Sequence, residues 1–184
     1  MPTPKTQVTT GKVRFSYANL FTPRAQPGST DLKYSVTLLI PKADKATHSK
    51  IMEAIQAARQ AYQANTGKSA AAFKSTLHDG DGERPTGGPF NPECKGCWVI
   101  TVSSKRAPVL VYPDKTPITE PTELYSGCYG RAIINFYAFA TSGNTGISAG
   151  LNGIMKLEDG EPLGGGIVTD ADWDDDWDDD LLLK

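Results

Sequence analysis

Short runs of alternating apolar and polar residues mark most of this chain as strand. In residues 8–17, Val13, Phe15 and Tyr17 fall on one side and Lys12, Arg14 and Ser16 on the other, the pattern of a half-buried strand. Residues 33–40 repeat it, with Tyr34, Val36, Leu38 and Ile40 facing inward and Lys33, Ser35 and Thr37 outward. The period then changes. Ile51, Ile55, Ala58 and Tyr62 share one helical face, so a helix is predicted over about 44–65, with Asp44 or Thr47 as its cap and Gly67 as its stop. Residues 68–96 are rich in Gly, Pro, Asp and Ser and show no strong periodicity after Leu77, which predicts a long loop.

Strands resume at 97–103, where Trp98 shares the core side with Ile100 and Val102, and at 109–112. A polar, proline-containing connection covers 113–123. The strongest strand signal is 129–140, with Ala132, Ile134, Phe136 and Ala138 on one face and Arg131, Ile133, Asn135 and Tyr137 on the other. Residues 142–146 read as a hairpin turn into a strand at 147–157. The expected architecture is therefore mainly β, five to seven strands with one helix inserted after the second. This order is compatible with an OB-fold-like small Greek-key barrel; another small barrel or an open sheet would show the same periodicity.

Composition narrows the class. The 184 residues suit one domain with a real core, and 18 glycines with 13 prolines favour short strands and turns over a helical bundle. No run approaches the ~18 consecutive apolar residues that a membrane span needs, and the N-terminus lacks the apolar stretch of a signal peptide. A cytoplasmic protein with no membrane partner is expected. Three cysteines, an odd count, argue against a secreted disulfide framework.

The net charge of −2 conceals an asymmetry: residues 170–184 carry eight aspartates and one lysine, which leaves +5 on residues 1–169. A basic body can attract a polyanion, and an acidic terminal segment can imitate one. The expected division is a binding domain at 1–168 and a disordered acidic tail at 169–184, where like charges repel and little apolar surface can be buried. Trp173, Trp177 and Leu181 are bulky anchors set among Asp172, Asp176 and Asp180, a pattern suited to docking in a basic groove with an apolar pocket.

A protein that holds single strands without reading them needs cations for phosphates and rings for exposed bases. The outward strand faces and strand ends supply both: Lys12, Arg14, Lys33, Lys105, Arg106 and Arg131 as cations, and Tyr112, Tyr125, Tyr129 and Tyr137 as rings. Any one exposed cation is more often a solvated face; the signal is their recurrence on several strands.

Other motifs carry less. Cys94-Lys-Gly-Cys97 has metal-ligand spacing, and Cys128 with His78 could complete a zinc set, but the halves lie far apart in sequence and no metal is expected. Asp79, Asp81 and Glu83 resemble the start of a calcium loop, yet Arg84 and Phe90 stand where glycine and glutamate are required. Gly146-Ile-Ser148-Ala-Gly150 fits a nucleophile pattern without its strand-turn-helix context, and no histidine follows it. Neither a phosphate-binding loop nor a dinucleotide fingerprint is present, so no cofactor and no enzymatic activity are expected. Two alternatives remain: a metal-dependent nucleic-acid enzyme using Asp79, Asp81 and Glu83, and a protein-interaction component that does not bind DNA and whose tail is its only active part.

The chain resembles a family of bacteriophage single-stranded DNA-binding proteins. The resemblance rests on Gly11-Lys-Val-Arg-Phe-Ser-Tyr17 with Leu20-Phe21, Lys33-Tyr-Ser-Val-Thr-Leu-Leu-Ile-Pro-Lys42, and Leu77-His-Asp-Gly-Asp81 with Glu83-Arg-Pro85. It continues in Tyr125-Ser-Gly-Cys-Tyr-Gly-Arg131, Asn135-Phe-Tyr-Ala138, Gly146-Ile-Ser-Ala-Gly-Leu-Asn152 and Asp159-Gly-Glu-Pro-Leu-Gly-Gly165. It implies an OB-fold, sequence-independent single-strand binding and a role in phage DNA replication or recombination. It also implies that the acidic tail contacts phage or host replication proteins and competes with DNA; a homo-oligomer is compatible with it. Tails of this kind often end on an aromatic or apolar residue, whereas this one ends Leu183-Lys184.

Overall fold

The computed structural model describes residues 5–25, 28, 30–84, 87–141 and 143–163. The predicted strands are present, and two additional strands of three residues each, at Gln7–Thr9 and Leu77–Asp79, join them. In chain order the elements are β1 (Gln7–Thr9), β2 (Val13–Ala25), β3 (Leu32–Pro41), α1 (Lys45–Thr66), β4 (Leu77–Asp79), β5 (Cys97–Ser104), β6 (Val109–Val111), β7 (Tyr129–Thr141) and β8 (Asn144–Glu158).

Five long strands close on themselves. β2 pairs antiparallel with β3, β3 antiparallel with β5, β5 parallel with β8, β8 antiparallel with β7, and β7 antiparallel with β2. This is a five-stranded Greek-key ring, the OB-type barrel that the strand order allowed. Closure removes the edges that would otherwise present unpaired backbone groups. The short strands are outriggers: β1 on β7, β4 on β5 and β6 on β8.

The alternation decides which side chains fill the barrel. Phe15, Leu38, Ile40, Ile100, Ile134 and Phe136 are buried there, as their sequence parity predicted. Helix α1 adds Ile51, Ala54, Ile55 and Ala58 to the same core, packing on β7 and β1. Asp44 is its N-cap, its carboxylate accepting from the Thr47 amide at 3.1 Å, and Gly67 ends it in the left-handed region at φ 74°. Gly130 marks a tight crossing. A Cβ there would lie 2.1 Å from the Met155 carbonyl oxygen and 2.8 Å from the Phe15 ring.

Four expectations need correction. The strand drawn at 8–17 is two strands, with β2 running on to Ala25. The 68–96 loop contains β4 and a short 3₁₀ turn at Pro92–Cys94, pieces too brief to show a period. The turn drawn at 142–146 is shorter, since Thr141 already pairs with Asn144. Tyr17, placed inward by parity, points outward and is 63% exposed. Its backbone sits at φ 47°, inside a register shift between Ser16 and Asn19 where β2 carries one residue more than β3. Such a bulge reverses the side on which the next side chain emerges.

No helix among the described residues is long and apolar enough to cross a membrane. The proposed tail residues Asp172, Trp173, Asp176, Trp177, Asp180 and Leu181 lie outside the described residues.

Candidate nucleic-acid interface

The outward positions of β2, β3 and β5 line up in register and form one surface. Arg24 is opposite Lys33, Asn19 opposite Ser35 and Ser103, Ser16 opposite Thr37 and Thr101, and Arg14 opposite Leu39 and Val99. The centre of this face is made of small polar groups, with the Thr37 and Thr101 hydroxyls 3.1 Å apart. Its ends carry charge. Side chains this short leave the sheet surface accessible to a flat ligand, and cations at both ends suit an extended polyanion.

Three hollows run along the face. One of about 300 Å³ holds Arg24 and Lys33. It shares Asn19, Ser35 and Thr101 with a second of about 660 Å³, which adds Tyr17, Arg84 and Phe90. A third of about 420 Å³ lies past Leu39 and holds Lys12, Arg14 and Tyr129. Arg24 and Lys33 are like charges directly across an antiparallel pair, an arrangement that destabilises a sheet unless an anion offsets it.

At the far end the two cations bracket one ring. Lys12 Nζ is 5.1 Å and the Arg14 guanidinium 5.4 Å from the Tyr129 centroid. Lys12 also pairs with Glu158, and Arg14 donates to the carbonyls of Gly127 (3.1 Å) and Glu161 (2.5 Å). The charge here is held in a fixed place, and the Tyr129 ring already serves as its platform.

Among the other residues singled out from sequence, Lys105 and Arg106 follow β5 where Ser104 pairs with Tyr34, at the Lys33 end of the face. Tyr137 is 47% exposed on β7; its ring lies near Gly150, which is in register with Ser103, so it borders the same end. Three residues sit elsewhere. Arg131 is on the other side of the barrel, its Nε donating to the Thr10 carbonyl at 2.8 Å, beside an apolar hollow that includes Val109, Ile133 and Met155. Tyr112 packs against the core. Tyr125 packs there too, its hydroxyl donating to the Gly160 carbonyl at 2.8 Å and accepting from the Gly160 amide at 3.0 Å.

Close to that tie, Lys156 is 8% exposed and pairs with Glu123 (2.8 Å) and Asp159 (2.6 Å). Burial alone would lower its pKa, but the hydrogen bonds to Asp159 and Glu123 outweigh it and hold the ammonium well above its ordinary value.

Sequence reasoning missed Tyr17, Arg24, Arg84 and Asn91. Arg24 lay beyond the strand as drawn, and Tyr17 had core parity. Arg84 and Asn91 come from the long loop, where no periodic signal could place them. Asn91 joins the other two: its Nδ2 donates to the Tyr17 hydroxyl at 2.8 Å, and its Oδ1 accepts from Arg84 Nη2 at 2.5 Å.

Asp79 and Asp81, two of the three carboxylates considered for metal catalysis, are occupied. Lys42 Nζ bonds Asp79 at 2.6 Å and Asp81 at 2.7 Å and lies 5.0 Å from the Trp98 centroid. Hydrogen bonding to Lys42 holds both carboxyls below the usual carboxylate range. Glu83 is placed by a backbone β-bridge with Pro89, a pairing that does not involve its carboxylate. Cys94 belongs to a small outer cluster with Leu39 and Val99, whereas Cys128 lies in the barrel core. Burial pushes the thiols of Cys94, Cys97 and Cys128 up. Among the described residues no group of three or more His, Cys, Asp or Glu is placed to hold a metal ion. Ser148 lies within β8, not at a strand-to-helix turn.

Comparison with known proteins gives a consistent picture. The family of the Enterobacter phage Enc34 ssDNA-binding protein matches residues 6–182. Protein p50 of Acyrthosiphon pisum secondary endosymbiont phage 1 is 28% identical over 174 residues, covering 89% of this chain and 90% of its own. The solved single-stranded DNA-binding protein from bacteriophage Enc34 in complex with ssDNA is 28% identical, with a TM-score of 0.74 over 86% of this chain and 90% of that one. The single-stranded DNA binding protein gp2.5 of bacteriophage T7 shares the fold: 16% identity, a TM-score of 0.60, and 94% and 95% coverage.

Proposed function

Because the chain belongs to the Enterobacter phage Enc34 ssDNA-binding protein family, we propose that it binds single-stranded DNA along the outer face of β2, β3 and β5 without reading base sequence. The observation that carries this reading is the in-register face with Arg24 and Lys33 at one end, Lys12 and Arg14 at the other, small polar groups at its centre, and a covered apolar patch of Leu39 and Val99 before the Arg14 end. Cations there neutralise phosphates, and the short floor lets bases approach the sheet. Lys105, Arg106 and Tyr137 extend the surface at the Lys33 end. The role is that of a binding protein in phage DNA replication or recombination, acting in the cytoplasm of the bacterial host.

Residues 1–168 form the binding domain in this reading, and 169–184 act as an acidic tail. The family match runs through the acidic segment to residue 182. With a net charge of −7 over residues 170–184, tethered to its own binding domain, the tail competes with DNA at high effective concentration. Trp173, Trp177 and Leu181 anchor it to replication proteins.

Titration of fluorescent oligo-dT and of a duplex, at two salt concentrations, with and without residues 170–184, tests both parts. The expected result is single-strand binding that weakens with salt and tightens when the tail is removed. Failure of the truncated protein to bind oligo-dT in dilute buffer would overturn the DNA reading and leave the interaction-protein alternative. Equal affinity with and without the tail would overturn competition.

A further inference from the structure

Two non-glycine residues among those described have positive φ: Tyr17 at 47° and Lys115 at 69°. Lys115 lies in a tight turn, its amide bonding to the Tyr112 carbonyl at 2.8 Å. Tyr17 lies in no such turn; its φ belongs to the β2 bulge. It sits within a long strand, and a bulky side chain in the left-handed region is strained where glycine or asparagine would be at ease. Nor does packing repay the strain, because Tyr17 is 63% exposed.

The surroundings hold the residue at two backbone positions and at its hydroxyl. Asn19 Nδ2 donates to the Tyr17 carbonyl at 3.2 Å, the next amide, Ala18, donates to Ser126 Oγ at 3.1 Å, and Asn91 Nδ2 donates to the Tyr17 hydroxyl at 2.8 Å. Strain that several partners enforce, on a residue that packing does not need, is the mark of a preorganised site. The ring lines the hollow of about 660 Å³ together with Arg84, Phe90 and Asn91, a size within the range of small-ligand sites.

We infer that the β2 bulge together with Arg84, Phe90 and Asn91 forms a nucleobase cleft, in which an unpaired base lies flat on the Tyr17 ring with Arg84 toward its phosphate. This rests on the reading that the outer face binds single-stranded DNA, and it assigns the ring that does the stacking. The cleft holds a base by its face. Asn91 spends one N–H on the Tyr17 hydroxyl and one carbonyl lone pair on Arg84, contacts that fix its amide beside the ring. Only one guanidinium N–H of Arg84 goes to Asn91, and the others serve a phosphate oxygen. The site is therefore tolerant of sequence, since every base has a π face.

The test uses the full chain with Tyr17→Gly and Tyr17→Phe. Glycine removes the ring and also the backbone strain, so this variant melts no lower than the wild type. The probes are oligo-dT and an oligonucleotide carrying 2-aminopurine, whose fluorescence falls on stacking. The wild type binds and quenches. Tyr17→Gly binds about 5- to 100-fold more weakly with reduced quenching, while Tyr17→Phe stays within about threefold of the wild type. If the wild type binds and Tyr17→Gly matches it, the cleft is refuted while DNA binding stands. If Tyr17→Phe loses as much as Tyr17→Gly, the hydroxyl rather than the ring face matters and stacking is refuted. If the wild type itself ignores oligo-dT, the underlying DNA reading is what falls.

Discussion

Replacing Lys33 by glutamine separates the two consequences of placing like charges across a strand pair. Lys33 and Arg24 are in direct register on β3 and β2, and both border the same hollow. Asp31 borders the same hollow and offsets part of their repulsion, so Lys33→Gln is expected to change the stability of the free protein by less than about 1 kcal/mol. In the complex each cation neutralises one phosphate. For a single strand each such contact adds about 0.7 to the slope of log affinity against log salt. At about 50 mM salt, relative to 1 M, that is 0.7 times 1.3, or about 0.9 log units: roughly an eightfold loss of affinity for one cation. The double variant with Arg24→Gln should lose about 1.4 from the slope. The assay is an oligo-dT titration from about 50 to 500 mM salt, alongside thermal denaturation of the free protein. A slope unchanged within about 0.3, with affinity intact, would show that this end of the face does not touch phosphate and would refute the reasoning.

Two further expectations concern the fold that carries the surface. The Lys42–Asp79–Asp81 clip makes stability acid-sensitive: both carboxyls have folded pKa values below the ordinary one, chiefly through hydrogen bonds to Lys42. Their contribution is complete above the unfolded value of about 3.9 and disappears as pH falls through the depressed folded values. The difference in melting temperature between wild type and Asp81→Asn should therefore be constant at neutral pH and shrink below about pH 4; parallel curves down to about pH 2 would exclude the clip. Gly130→Ala would bring a methyl group to 2.1 Å from the Met155 carbonyl oxygen. It is expected to cost about 3 kcal/mol, a fall of roughly 6–12 °C in melting temperature by calorimetry, and a fall of under about 2 °C would show that the crossing yields.

The long strands were legible because period-two alternation over eight or more residues also fixes the side that faces the core. Phe15, Leu38, Ile100 and Phe136 went inward as read, and Lys33, Arg131 and Tyr137 went outward. Helix α1 was legible to within a residue because its cap, apolar face and glycine stop agree. Of the three-residue strands, β6 was read at 109–112, whereas β1 was merged into the next strand and β4 was not read, since each is defined by its partner in the sheet rather than by any period of its own. The candidate site was half legible. Parity found Arg14 and Lys33, but a one-residue bulge inverted Tyr17, and no local rule announces a bulge within an otherwise regular strand. The rings at strand ends divided by long-range contact. Tyr125 is tied to Gly160, 35 residues away, and Tyr129 takes its cations from Lys12 and Arg14, more than a hundred residues earlier.

The central claim is a location: single-stranded DNA lies on the outer face of β2, β3 and β5. Backbone amide shifts of the isotope-labelled protein, followed by NMR during titration with oligo-dT, test it directly. The largest changes are expected at Tyr17, Asn19, Arg24, Lys33, Ser35 and Thr101, with Arg131, Ile133 and Val109 unmoved. Shifts concentrated around Arg131 and Val109, with the β3 and β5 amides silent, would place the DNA on the opposite side of the barrel and contradict the account.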